Sequence, residues 1–290
     1  MITIEQLRVV FGKQVALDID QTIEFKKGSR TGIIGGNGAG KTTLINAILN
    51  LIPYEGKITR QLPVNKMAVH LQFNEFVETM ACQHVMETIL NTKIKTNKEL
   101  QNLIDYFEMT EHLKKKYKNL SGGQKQRFTL ILVLFQKADF TFFDEVTSGL
   151  DFETRQRLVS KLRDWYKNSQ ASYCMVSHYY EELDQLVDDI LLLEEGKILA
   201  YGNKQDLFQK YCGKTVIMIQ DKPDYQEIIK PYRQILAPES QLAVSVNSNQ
   251  EELEIIQKFI DHNIDYQRSS QDIELMTINA KAAYFNQGGH

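Results

Sequence analysis

An α/β fold on a mostly parallel sheet is what this sequence predicts, and three observations predict it. Short apolar runs of strand length alternate with helix-length periodic segments up to about residue 212 of the 290, the pattern of a sheet with helices packed against it. One strand-to-helix junction carries the glycine-rich run GGNGAGKTT over residues 35–43, a loop suited to wrapping an anion. Glycine then disappears between Gly213 and the Gly288-Gly289 end, while three of the five prolines, Pro223, Pro231 and Pro238, fall just past residue 213. We therefore expect a first domain over residues 1–212, a small α+β domain over 215–281, and a flexible tail over 282–290.

Taken in order, residues 2–10 and 16–25 alternate like paired strands turning at Phe11-Gly12-Lys13, a candidate antiparallel β subdomain. Residues 30–34 form a short buried strand, 41–51 a helix and 67–71 another strand. From residue 76 to 118 the period is helical, as an inserted subdomain would be. With the helix expected over 124–136, that helical subdomain extends to about 138. A strand at 140–143, a helix at 152–168, a strand at 173–177, a helix at 180–186 and a hairpin across Glu195-Gly196 complete the first domain. The second domain reads as strand 215–220, helix 225–230, strand 242–247, helix 250–262, strand 265–268 and a short helix from about 271.

Composition excludes several classes. With 42% hydrophobic residues, 24% charged residues and a formal net charge of -3, the chain has no basic excess, so nucleic acid is not an expected partner. The local run Lys114-Lys115-Lys116 with Lys118 reads as a solvated helix face. No apolar run approaches the roughly 18–20 residues that span a bilayer. The first residues alternate like a strand and carry no signal-peptide pattern. The three cysteines, Cys82, Cys174 and Cys212, have neither disulfide nor metal spacing, which favours a reducing cytosol.

Residues 35–43 match G-x-x-x-x-G-K-[ST] between a strand and a helix, the context that motif requires. Gly35, Gly36, Asn37, Gly38, Ala39, Gly40, Lys41, Thr42 and Thr43 would bind ATP. Backbone amides surround the phosphates, Lys41 neutralises the β- and γ-phosphates, and the Thr42 hydroxyl ligates Mg²⁺. The strand FTFFDE, residues 140–145, ends in two carboxylates at the sheet edge beside that loop. Asp144 is placed to hold the Mg²⁺ water shell, and Glu145 to accept a proton from an attacking water. In LSGGQ, residues 120–124, Ser121 and Gln124 fit a capping box. The box leaves Gly122 and Gly123 unexplained, since each glycine costs roughly 1 kcal/mol inside a helix. Glycines at a helix start fit a close approach by an anion to free amides.

Residues 35–42, 120–124, Asp144-Glu145 and Ser148-Gly149-Leu150-Asp151, in this order, resemble the nucleotide-binding subunit of an ABC transporter over about residues 1–212. The resemblance implies a P-loop NTPase of the ABC type that hydrolyses ATP with Mg²⁺. It also implies a second ATP-binding subunit, a homodimer partner or close paralogue, in which Ser121, Gly122, Gly123 and Gln124 close over the ATP held opposite. Residue by residue it implies that Gln72 senses Mg²⁺ and water and that His178 contacts the γ-phosphate. Asp151 would link the two sites, and Phe11 would stack on adenine, although Phe11 fits a core position as well. Val146 stands where the family commonly has proline, as does Asp139, and neither change removes a chemical group.

The segment YQRSSQDIELMT, residues 266–277, resembles more loosely the strand-then-helix ending of ATPase subunits in ABC-2-type exporters of drugs, antibiotics, bacteriocins or envelope polymers. The expected function is thus to power an exporter from the cytoplasmic face of the membrane, held there by a transmembrane permease. The alternative is a soluble ABC ATPase acting on an assembly scaffold.

Overall fold

The computed structural model describes residues 1–71 and 76–286. The chain opens with β1 (Ile2–Phe11), β2 (Gln14–Ile19), β3 (Ile23–Phe25), β4 (Arg30–Ile34), α1 (Lys41–Ile48), β5 (Glu55–Arg60) and β6 (Met67–His70). The helices α2 (Cys82–Ile89), α3 (Lys98–Tyr106) and α4 (Gly122–Phe135) follow. Next come β7 (Phe140–Asp144), α5 (Phe152–Tyr166), β8 (Ser172–Val176), α6 (Tyr180–Leu186), β9 (Asp189–Glu194), β10 (Lys197–Asn203) and α7 (Lys204–Cys212). The C-terminal stretch holds β11 (Thr215–Gln220), α8 (Pro223–Ile229), β12 (Gln234–Ile235), β13 (Gln241–Val246), α9 (Asn249–Asp261), β14 (Tyr266–Ser269) and α10 (Ile273–Asn286).

The central sheet has six strands in the order β10-β9-β4-β8-β7-β6. Its pairs are parallel except the β9–β10 hairpin. Every residue of β7 and β8 is buried, as strands covered by helices on both faces must be. Register decides what the sheet presents at its carboxyl edge. Val176 pairs with Ile33 on one side and with Asp144 on the other, so the loops after β4, β7 and β8 leave together. A ligand site belongs at such an edge.

A second sheet, β2-β1-β3 with β5 also on β1, is antiparallel and packs Ile2, Ile4, Leu7 and Val9 against Leu44, Ile45 and Ile48 of α1. The helical insertion buries Val85, Met86, Leu100, Leu103 and Phe107 with Phe128 of α4. The third sheet, β12-β13-β11-β14, presents two apolar faces. Ile217, Ile219, Val244 and Val246 pack on Ile255 and Phe259 of α9. Val216, Met218 and Ala243 belong instead to the main core, together with Phe208 of α7 and Met276 of α10.

Four departures from the sequence reading have physical causes. The expected strand over 16–25 is two strands, broken near Gln21, whose side chain donates to the Ile198 carbonyl at 2.7 Å. The signature helix begins at Gly122 rather than 124, so both glycines lie inside its first turn. Helix α7 had no counterpart in that reading. Of the flexible tail expected over 282–290, residues 282–286 belong to α10 and 287–290 lie outside the described residues. The buried residues Met276, Thr277 and Ala280 dock α10, and Asn279 pins it by donating to the Leu236 carbonyl and accepting from the Leu236 amide.

Candidate functional site

The loop between β4 and α1 takes a shape that glycine alone permits at two points. A Cβ on Gly35 would lie 2.2 Å from the Leu193 carbonyl oxygen, and Gly40, the residue that starts α1, has φ +103°. Lys41 is buried and folds back over the loop, its Nζ donating to the carbonyls of Gly35 at 2.9 Å and Gly36 at 3.0 Å. Burial lowers the Lys41 pKa, while the carboxylates of Glu145, Asp144 and Glu194 oppose that shift. In front of the loop lies an open cleft walled by Gln14, Val15, Ala16, residues 37–43, Glu145 and Glu195. Free amides at the start of an eight-residue helix, with a lysine ammonium over them, make this an anion site.

On the β7 side Glu145 walls the cleft, and Asp144 stands behind Thr42. Asp144 is the buried last residue of β7, and its Oδ2 accepts from the Thr42 hydroxyl at 2.9 Å. Burial raises its pKa, and the hydrogen bond from Thr42 only partly opposes that shift. Glu145 follows with φ +50°, a left-handed conformation that a non-glycine residue adopts only when its surroundings impose it. Its amide donates to the Val176 carbonyl at 3.1 Å, and its Oε1 lies 2.9 Å from Nε2 of His178. The Glu145 carboxylate is thus aimed at the cleft with an imidazole beside it. The turn after it survives without proline, because the Ser148 amide donates to the Glu145 carbonyl at 3.0 Å and Val146 is buried.

Sequence reasoning missed the group that ties these loops together. Glu182 of α6 is 1% exposed, and its Oε2 accepts from the hydroxyls of Thr147 and Ser177, each at 2.8 Å. Burial raises its pKa, against those two hydroxyls and Arg155. Arg155 of α5 approaches its Oε1 at 3.4 Å and lies 3.8 Å from the centre of the Tyr179 ring. One buried carboxylate therefore joins the loop carrying Glu145 to the loop carrying His178. The only sequence signal was a glutamate four residues after His178, indistinguishable from a solvated helix charge.

The signature residues stand elsewhere. The capping box is present, with Gln124 N donating to Ser121 Oγ at 3.3 Å and Ser121 N to Gln124 Oε1 at 3.1 Å. Gly123 sits tightly against α5, where a Cβ would meet Thr154 Cγ2 at 3.0 Å. Gly122 is exposed and a Cβ there would meet nothing within 4 Å. Among the described residues nothing crowds a side chain at 122, and no residue of 120–124 lines the cleft. Asp151 is exposed and caps α5 by accepting from the Thr154 amide at 3.0 Å. Phe11 is 51% exposed, so it is not a core residue, and it pairs in register with Gln14 of the cleft wall. Gln72 lies outside the described residues.

The ABC transporter family model matches residues 20–148. The linearmycin resistance ATP-binding protein of Bacillus subtilis is 27% identical over 233 residues, covering 76% of this chain and 74% of that protein. The manganese transport system ATP-binding protein of Listeria monocytogenes is 33% identical over 224 residues, 71% of this chain and 91% of that one. The methionine import ATP-binding protein of Clostridioides difficile is 30% identical over 227 residues, covering 72% and 70%. Among solved structures, an ATP-binding subunit of an ABC transporter superposes with a TM-score of 0.64 at 19% identity, over 73% of this chain and 94% of that one. A dimeric ATP-binding cassette in a post-hydrolysis state with ADP and phosphate gives 0.61 at 20% identity, over 70% and 98%. At these identities the structural matches carry the fold.

Proposed function

This chain belongs to the ABC transporter ATP-binding family, an ATPase family, and from that premise we propose that it powers the export of a drug, antibiotic, peptide or envelope component through a separate permease. The observation that carries the ATPase roles is the convergence at one sheet edge of the phosphate loop, the Thr42–Asp144 contact and the Glu145–His178 contact, each 2.9 Å.

In this reading residues 35–43 hold the ATP phosphates, with Lys41 turning from its own carbonyls to the β- and γ-phosphates. Thr42 and Asp144 offer the oxygen donors that Mg²⁺ takes beside phosphate and water. The ion supplies charge neutralisation at the phosphates. Glu145 takes the proton of the attacking water, His178 holds it in place and reaches the γ-phosphate, and Gln72 orients the same water. Phe11 offers its exposed face to adenine. Ser121, Gly122, Gly123 and Gln124 serve the nucleotide of a second subunit, and Asp151 lies along that seam.

Two features favour export. The segment β14–α10 has the strand-then-helix order of an exporter-type ending, and the Bacillus subtilis relative is named for resistance. Among the described residues no helix is long and apolar enough to cross a membrane, and in this reading a separate permease supplies the path. The test is a host strain lacking this chain, complemented with wild type or Glu145→Gln, together with a pull-down of the tagged protein from solubilised membranes. We expect a polytopic membrane protein in the pull-down and hypersensitivity to a panel of antibiotics and antimicrobial peptides that only wild type reverses. Loss of uptake of a nutrient would turn the reading to import. Recovery of soluble assembly scaffolds alone would overturn it.

A further inference from the structure

Helix α10 places a lysine on a carboxylate that stands beside the phosphate loop. Glu194, the last residue of β9, places Oε1 3.2 Å from where a Cβ on Gly36 would stand, which sets a carboxylate against the loop that binds an anion. Its other oxygen forms an ion pair with Nζ of Lys281 on α10. The two side chains are 21% and 34% exposed, so solvent screens the pair only in part. Both charges are felt at Lys41, Glu194 favouring its ammonium form and Lys281 disfavouring it. Helix α10 is held in place by the buried Met276 and Ala280 and by Asn279, which both donates to and accepts from the Leu236 backbone.

We propose that Lys281 is a positioning residue for nucleotide binding: it neutralises Glu194 beside Gly36, so that ATP affinity depends on the C-terminal unit being docked. This rests on residues 35–43 being the ATP phosphate site. A carboxylate at that place repels a polyphosphate. The first 212 residues contribute the negative charge, and the helix that closes the chain contributes its counter-charge. Displacement of α10 leaves Glu194 bare and loosens ATP. Linkage makes the reverse hold: bound ATP favours the docked helix. The C-terminal unit is thereby a part of the nucleotide site that a partner acting on it can tune.

The experiment uses the full chain and calorimetric titration of ATP with Mg²⁺, alongside steady-state hydrolysis. Lys281→Ala is expected to raise the ATP Kd and KM on the order of tenfold with kcat nearly unchanged, the size of one uncompensated charge near the phosphates. Lys281→Arg restores the wild-type values, and Glu194→Gln alone binds ATP at least as tightly as wild type. The deficit shrinks at high salt and is much smaller for AMP, which lacks the β- and γ-phosphates. On the Glu194→Gln background Lys281→Ala changes little. An unchanged Kd in Lys281→Ala, or the same loss with and without the Glu194 carboxylate, overturns the proposal. Lys41→Ala tests the underlying reading separately: normal ATP binding by that variant would remove the phosphate site itself and leave the Lys281 result to be explained otherwise.

Discussion

At Glu145 the backbone stands at φ +50° with its N–H donating to the Val176 carbonyl, and the carboxylate meets His178 across 2.9 Å. Glutamine at this position keeps the size, the backbone contact and a polar neighbour for the imidazole, but it accepts no proton. Glu145→Gln should therefore bind ATP with near wild-type affinity while kcat falls about 10²- to 10⁴-fold, the usual worth of a general base. Rapid-quench hydrolysis and equilibrium titration on the same preparation separate the two quantities. Turnover within a few-fold of wild type would mean that the base lies elsewhere. Residues of this kind were legible because motif spacing fixes chemistry at short range, as with Lys41 and Thr42. Glu182 was not legible: one of its hydroxyl partners is the nearby Ser177, but its burial and its tie to Thr147, 35 residues upstream, are encoded by no local pattern.

At the scale of elements, α4 poses a problem that its own packing does not solve. Glycine weakens a first turn, yet at 122 the chain neither crowds the position nor bends it to a positive φ. An added carboxylate there would even favour the helix, since acidic groups in a first turn contribute about 0.3–1 kcal/mol. We expect Gly122→Asp to leave the melting temperature unchanged or slightly raised and to leave ATP binding by the monomer intact. Hydrolysis should drop at least about tenfold, because a carboxylate would face the phosphates of the opposite subunit. Calorimetry, nucleotide titration and turnover give the three numbers. Lost binding in the monomer would make the glycines part of this chain's own site. Most elements of the central sheet were legible because buried parallel strands are continuous apolar runs. The strand break near Gln21 was not, since the bond that fixes it goes to Ile198, far away in sequence.

For the whole molecule, composition marks a change at residue 213 but says nothing of what packs across it. Leu183, Leu186, Leu207, Phe208 and Cys212 share one core with Val216, Met218, Ala243, Leu275, Met276 and Ala280. Burial within it pushes the Cys212 thiol up to about 12, as an inert apolar side chain would behave. Helix α10, expected as a short element before a loose tail, carries no single amphipathic stripe that would mark its length in the sequence. It lies against α6, α7 and β10 of the central sheet, and so it is apolar on more than one side. A chain ending at Gly213 would expose that core. Each large side chain is worth about 1.5–3 kcal/mol on burial. Even with partial collapse the loss is on the order of 5 kcal/mol, which lowers the melting temperature by about 10–20 °C in a chain of this size. Scanning calorimetry of the truncated and full-length proteins, each without nucleotide, reads this directly. One cooperative transition at the higher temperature is expected for the full chain, and a lower transition or aggregation for the shortened one. Equal midpoints would mean that the C-terminal unit is an independent body resting on the first, and that α10 reaches Glu194 without holding up the fold beneath it.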